Sequence, residues 1–483
     1  MAQSKNIGFA FEQVVKRHAD QAALIFEDMT LTYAQLWKIT CAFARKMAEC
    51  GVRQGDFVVV DTTESTVSIA SLLASALLGA KYANSHEELA LLKRFRPTHY
   101  FHSPELFGNA FEGSIEIEER WTPQNQPDQD VTFSGSQNED EPWLIVHTSG
   151  STGLPKYIGL SHAQVYDRSA ASARFFKPAK TVFCSLFACY ARPYISRILA
   201  ALLNGATIVE SRDPSFWVLA GVNLVMGSPL QVKARLDGIS ISPKIPALHV
   251  GGGALDDDLA TNLLKNFETV VNAYGASETN HSYNNIKVLD EDGDIETYGE
   301  PLDSLVEIVN RDGQQCALNE TGRVRIQNPY LASGYLDNSE AQEKCFIDGW
   351  FYPGDLANWG PRRTLNFVGR EDHVINLGGA KVNALAVDEI MRATIGISDA
   401  ICFKNPKPDA LNELLAFAVF DGAASQIQAE SSAKFACEKK LGEIMVPKRI
   451  RPINEVPRLI NGAPDRETCA KMVLERAKRL QKG

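Results

Sequence analysis

The chain has 483 residues, 45% of them hydrophobic and 22% charged, with a formal net charge of −10 at pH 7. That length exceeds what one core usually serves, so two or more globular domains are expected. The excess of acid argues against a nucleic-acid partner and against adhesion to an anionic membrane.

The first residues, Met1 to Asn6, lack the apolar core of a signal peptide. Nine scattered cysteines without a CxxC pair suggest neither a disulfide framework nor a zinc site. Both features point to a cytoplasmic protein. Thr32 is placed to cap a helix from Tyr33, with Leu36 and Ile39 on one face. Phe57 to Val60 reads as a buried strand, and Ser65 to Leu78 as a helix that Gly79 can stop. The most apolar helical stretch, Val67 to Ala80, is too short and too rich in Ser and Ala to cross a bilayer, so no membrane span is expected.

Thr122 to Pro142 is polar and reads as an exposed loop. The apolar run Trp143 to Val146 then empties into Thr148-Ser-Gly-Ser-Thr-Gly-Leu-Pro-Lys156. Ser149, Ser151 and Thr152 each offer an O–H and an N–H, Gly150 and Gly153 let backbone approach an anion, and Lys156 adds a positive charge. The spacing is not that of a Walker A loop, and Pro155 precludes the helix such a loop opens. Alone, the segment reads first as a solvated connection.

From Thr181 to Gly275 strand-like and helix-like segments alternate: Leu199 to Leu203 helical, Thr207 to Val209 and Leu224 to Met226 strands, and Leu248 to Val250 entering three glycines. Asn272-Ala-Tyr274-Gly275-Ala276-Ser277-Glu278 packs an amide, an aromatic ring, a glycine turn and a carboxylate into seven residues. It suits an adenine on Tyr274 read by Asn272, with a magnesium ion on Glu278. It suits equally a strand end with a buried tyrosine and a surface glutamate. After Asp303 the pattern changes to half-exposed antiparallel strands, at Val306 to Val309 and Gly322 to Ile326. Asp355 follows a Pro-Gly turn and Arg370 a short apolar run. An ordinary turn and a surface arginine explain them, as does a ribose site. A compact segment of just over a hundred residues follows, so domains of 1–370 and 371–483 are expected. The basic residues Arg476, Lys478, Arg479 and Lys482 read as one solvated helix face.

In this order TSGSTGLPK, GGGAL at Gly251 to Leu255, NAYGASE, GWFYPGD at Gly349 to Asp355, GREDHVINLGGAKV at Gly369 to Val382 and NGAPDR at Asn461 to Arg466 closely resemble the motif series of the adenylate-forming superfamily. Acyl-CoA synthetases, nonribosomal peptide adenylation domains and luciferase are among its members. The resemblance implies an α/β fold: a large multi-layer N-terminal domain of β-sheets flanked by helices with a β-rich subdomain, and a small mobile α+β C-terminal domain. It implies attack of a carboxylic acid on the α-phosphorus of ATP, giving an acyl adenylate and pyrophosphate. By the same resemblance Thr148 to Lys156 would hold the β and γ phosphates, Ser277 the α phosphate and Glu278 Mg2+. Asn272, Tyr274 and Gly275 would flank adenine, Gly252, Gly253 and Ala254 would line its other face, and Asp355 and Arg370 would bind ribose. Asp372 matches the hinge, and Gly378 and Gly379 match a thiol tunnel leading to CoA or to the phosphopantetheine of a carrier protein. In some relatives the acceptor is an amine.

One position departs. The family's last motif carries a lysine that reaches the carboxylate and α-phosphate, and here it is Ala463, with Asn461, Gly462, Asp465 and Arg466 intact. An introduced Lys-to-Ala change, a natural enzyme that adenylates slowly, and a chain that has lost catalysis and only binds nucleotide each account for it. The intact ATP motifs favour the first, because drift erodes several sites together. At the acyl end, the aspartate that holds the α-amino group in amino-acid adenylation domains falls near Arg192, which argues against an ordinary α-amino acid and admits a second carboxylate or a structural ion pair. Phe187, Tyr190, Met226 and Ala276 read as pocket walls or, equally, as core. An aromatic or acyl acid passed to a thiol is the resulting expectation.

Overall fold

The computed structural model describes residues 4–84, 94–104, 106, 113–118, 121, 133, 135, 138–148, 156–253, 255–371, 374–377, 380–407, 413–458 and 464–480. Among these, the strands form three large sheets and two small ones, with helices packed between and against them. Local chemistry fixes many boundaries. Thr32 and Gln35 form a capping box at the start of the Tyr33–Glu49 helix, so two orphan N–H groups are paired reciprocally. The Ser65–Leu78 helix ends at Gly79 with φ 71°, a left-handed turn that a β-carbon would strain.

A nine-stranded sheet runs from Ala22 to Pro301, parallel through its middle, where Val182–Ser185, Leu224–Gly227, Ile245–Gly251 and Phe267–Ala276 lie side by side. A seven-stranded sheet places Phe57–Asp61, Lys81–Asn84, Pro142–Thr148 and Lys156–Ser161 in sequence across it. The two sheets share one core. Phe183, Leu24 and Ile208 from the first and Val58, Val146 and Ile158 from the second enclose a helical layer carrying Phe11, Leu36, Phe43, Leu73 and Ile198. The opposite face of the nine-stranded sheet has its own core around Trp217, Val225, Val250 and Phe267.

The third sheet is antiparallel and contains Leu305–Val309, Gly322–Gln327, Asp355–Trp359 and Leu365–Arg370, closed by a small core at Ile308, Val324 and Ala357. Antiparallel pairing begins earlier than the sequence pattern suggested. Asn280–Leu289 and Ile295–Pro301 already form an antiparallel edge on the nine-stranded sheet. Beyond residue 373, Ile397–Lys404, Leu414–Phe420 and Arg449–Pro452 make a three-stranded sheet with helices Ala384–Arg392 and Gln426–Leu441 on one face and Arg466–Leu480 on the other. Arg466 is tied to the buried Asp388 at 2.6 Å. No helix of the described residues is long and apolar enough to cross a membrane.

Candidate active site

A cleft of about 900 Å3 opens where the three large sheets meet. Each sheet supplies a different part of its lining. On the seven-stranded sheet, Thr148 and Lys156 are cross-strand partners, so the two ends of the phosphate-type loop emerge side by side, and both line the cleft. Ser149, Gly150, Ser151, Thr152 and Gly153 lie outside the described residues. A short strand, Tyr335–Leu336, pairs on the outer side of Lys156–Ser161. It brings Tyr335 under Lys156, whose Nζ stands 5.1 Å from the ring centroid.

The Tyr335 hydroxyl donates to Glu278 Oε1 at 2.6 Å. Burial first, and then the carboxylate beside it, push the phenol far up, so it remains a donor. Glu278 stands in the turn between Phe267–Ala276 and Asn280–Leu289, and that turn is unusually tight. A β-carbon on Gly275 would meet the Asn280 carbonyl oxygen at 2.1 Å, so no other residue fits there without moving backbone. Arg168, on the His162–Ala171 helix, holds the same turn from behind. Its guanidinium donates to the carbonyls of Ser277 at 2.9 Å and Glu278 at 2.8 Å, and twice to that of Tyr330 at 3.1 and 2.9 Å. Burial, with Arg192 nearby, lowers the Arg168 pKa to about 9, so its charge is carried at a cost that the four hydrogen bonds offset.

The antiparallel sheet supplies the third part. Asp355 and Arg370 are cross-strand partners and form an ion pair at 3.0 Å, while Tyr274 donates to the other Asp355 oxygen at 2.7 Å. Each carboxylate oxygen keeps acceptor capacity beyond these contacts, so the pair fits a vicinal diol. Gly252, Gly275 and Tyr274 line the same end, whereas Gly253 and Asn272 do not reach the cleft. Ala254, Asp372, Gly378, Gly379 and Ala463 lie outside the described residues.

The remaining end is walled by Phe187, Tyr190, Met226 and Ala276, with Arg192 at the start of the Arg192–Leu203 helix. Arg192 leans toward Ser277, its Nη2 standing 3.5 Å from that carbonyl oxygen. Three functional-looking residues absent from the sequence reading are Arg168, Tyr335 and Arg197, the last of which lines the cleft beside His281. Arg197 carries a legible signal, an arginine inside the apolar run Ile195 to Leu202. Arg168 and Tyr335 carry none, because their partners lie 57 to 162 residues away.

Among the described residues no group of three or more His, Cys, Asp or Glu side chains gathers to hold a metal. Glu278 brings one carboxylate to the part of the cleft near Thr148 and Lys156. That donor set fits Mg2+ as it is bound with nucleotides, by one or two carboxylates together with substrate phosphates and water.

A family model described as AMP-binding enzyme matches residues 11–336. The chain is 24% identical to bacitracin synthase 1 of Bacillus licheniformis over 95% of its length and 26% identical to the nonribosomal peptide synthetase sidE of Aspergillus fumigatus over 97%. It spans only 9% and 24% of those two proteins. It is 24% identical to oxalate–CoA ligase of Arabidopsis thaliana, here over 98% of this chain and 99% of that one. Among solved structures, O-succinylbenzoate coenzyme A synthetase of Bacillus subtilis in complex with AMP shares the fold with a TM-score of 0.79 at 20% identity, covering 95% of this chain and 97% of that one. ATP-bound MatB of Rhodopseudomonas palustris does so with a TM-score of 0.76 at 18% identity, covering 97% and 99%.

Proposed function

Because the chain belongs to the AMP-binding enzyme family, we propose that it activates a small carboxylic acid with ATP and passes the acyl group to a thiol. The observation that carries this reading is the convergence of Thr148, Lys156, Ser277, Glu278, Asp355 and Arg370 on one cleft from three separately built sheets. In the reaction, a carboxylate oxygen of the acid attacks the α-phosphorus of ATP. The bond to the β-phosphate oxygen breaks, and pyrophosphate leaves. Thr148 and Lys156 face the leaving phosphates, Ser277 the α-phosphate, and Asp355 with Arg370 the ribose, and the binding of the β and γ phosphates is assigned to the segment Thr148 to Lys156. Mg2+ on Glu278 would spread the charge that develops on the pyrophosphate. Little covalent chemistry falls to the protein, so positioning and electrostatics do most of the catalysis.

The thiol step is assigned to the segment 371–483, turning about Asp372 and presenting Gly378 and Gly379 to the cleft. Its acceptor is CoA or the pantetheine of a carrier protein. A chemically close alternative hands the acyl group to an amine. Ala463 favours a second reading of another class, a nucleotide-binding protein without catalysis, since one cationic contact to the reacting groups is missing.

Acid-dependent pyrophosphate exchange, run on this chain and on Ala463→Lys with a panel of acids, tests the proposal. Restoring the lysine is expected to raise exchange by about 100-fold or more, the usual worth of one charge-stabilising contact. Adding CoA or amines to the active acid then identifies the acceptor. If AMP binds but no acid supports exchange in either chain, the non-catalytic reading replaces this one.

A further inference from the structure

Arg197 sits on the first turns of the Arg192–Leu203 helix, is 8% exposed, and lines the acyl end of the cleft. Among the described residues no carboxylate, carbonyl or hydroxyl accepts from its guanidinium, and the one charge that acts on it is the like charge of Arg192. The aromatic groups beside it give no relief. His249 and His281 are both held neutral, by burial first and then by Arg197 itself. A buried guanidinium with no counter-charge is strongly disfavoured unless something anionic joins it. The helix end points the same way: Ala191 offers no side chain to cap it, and Ala191, Arg192, Pro193 and Ser196 all face the cleft. An uncapped helix N-terminus adds the positive end of the helix dipole to the same wall of the cleft.

The two arginines are not equivalent. Arg192 reaches back toward the Ser277 carbonyl and feels the Glu278 carboxylate, so it belongs to the reacting end. Arg197 stands five residues further along, about 7.5 Å up the helix axis at the usual rise. Resting on the acid-activation reading, we propose that the substrate is a dicarboxylic acid. One carboxylate is activated beside Ser277, and the other is held by Arg197, further along the Arg192–Leu203 helix.

Matched acids test this: butyrate against succinate, hexanoate against adipate, benzoate against isophthalate. Binding is read by calorimetry and by thermal stabilisation, with AMP present, and adenylate formation by hydroxylamine trapping with MgATP. At least one dicarboxylate is expected to bind tenfold or more tighter than its monocarboxylate partner. Arg197→Met should erase that difference while leaving AMP affinity within twofold. Arg197→Lys should retain part of it. Without ligand, Arg197→Met should melt no lower than the parent chain, since it removes a lone buried charge; a marked fall would mean a structural cation and overturn the proposal. So would equal binding of both acids in every pair, no acid binding at all, or a dicarboxylate preference that survives Arg197→Met. Dicarboxylate binding through Arg197 without any adenylate would refute acid activation and keep this inference. Adenylates formed from monocarboxylates alone would do the reverse.

Discussion

Replacing Arg168 with methionine keeps much of the side-chain volume and removes the guanidinium. Four N–H···O contacts between 2.8 and 3.1 Å disappear. Glu278 keeps one donor for its carbonyl, the Ala332 N–H at 2.8 Å, but the Tyr330 carbonyl loses both of its guanidinium contacts and Ser277 keeps only the distant Arg192. Two buried carbonyls left without a good donor cost about 1–3 kcal/mol each. Relief from burying a cation returns part of that. The expected net loss is about 2–4 kcal/mol, read as a lower urea midpoint for the unfolding of residues in the large core. The functional effect should be larger than the structural one. The Ser277–Glu278 turn would no longer be fixed against the cleft, and a misplacement near 1 Å costs on the order of 100-fold in rate. AMP should bind at least tenfold more weakly, about 1.4 kcal/mol. Arg168→Lys should fall between, because one ammonium cannot serve three carbonyls in the fork geometry. An unchanged midpoint together with AMP affinity within twofold of the parent would refute the argument that this arginine sets the turn.

Two further outcomes follow from packing and titration. Gly275→Ala places a β-carbon 2.1 Å from the Asn280 carbonyl oxygen, so the hairpin must open; a loss of at least about 2 kcal/mol on denaturation is expected, and a neutral result would show the turn to be looser than described. Burial lowers the pKa of His162 and His249 from 6.5 to about 3 and that of His281 well below 6.5. A histidine whose folded pKa lies below its unfolded one binds fewer protons when folded, so its contribution is complete above pH 6.5 and is lost as pH falls from 6.5 toward 3. Each contributes a slope of up to about 1.4 kcal/mol per pH unit in that window. Melting temperatures measured from pH 7.5 to 4.5 should drop steadily below 6.5, and a flat profile would contradict the neutral assignment.

Much of the frame was legible because its causes are local. Thr32 with Gln35, the apolar run Phe57 to Val60, and Gly79 after an alanine-rich stretch each carry their own chemistry, and the helix and strand stand where those residues put them. Positions that line the cleft stood out for a similar reason: Thr148, Lys156, Ser277, Glu278, Asp355 and Arg370 belong to short segments with a recognisable order. What escaped depends on pairing across the chain. Arg168 looks like a polar helix residue until the carbonyls more than a hundred positions later close over it. Tyr335 sits in a plain Gly-Tyr-Leu stretch, and only the strand pairing with Ile158 carries it to Glu278. Antiparallel strands from Asn280 onward were missed because they read as a run of polar residues, with Asn284 and His281 buried by pairing with each other at 2.6 Å and not by apolar character.

The assembly of the cleft from three sheets has an evolutionary corollary. Two of the sheets share one core and the third has its own, and the helix that carries Arg192 and Arg197 lies in the layer between the first two. On the proposed reading, exchanging the residues around Arg197 would retune which acid is accepted and leave the Ser277–Glu278 turn untouched. Under that reading, selection can explore new substrates at one small place while the other end of the cleft is inherited intact.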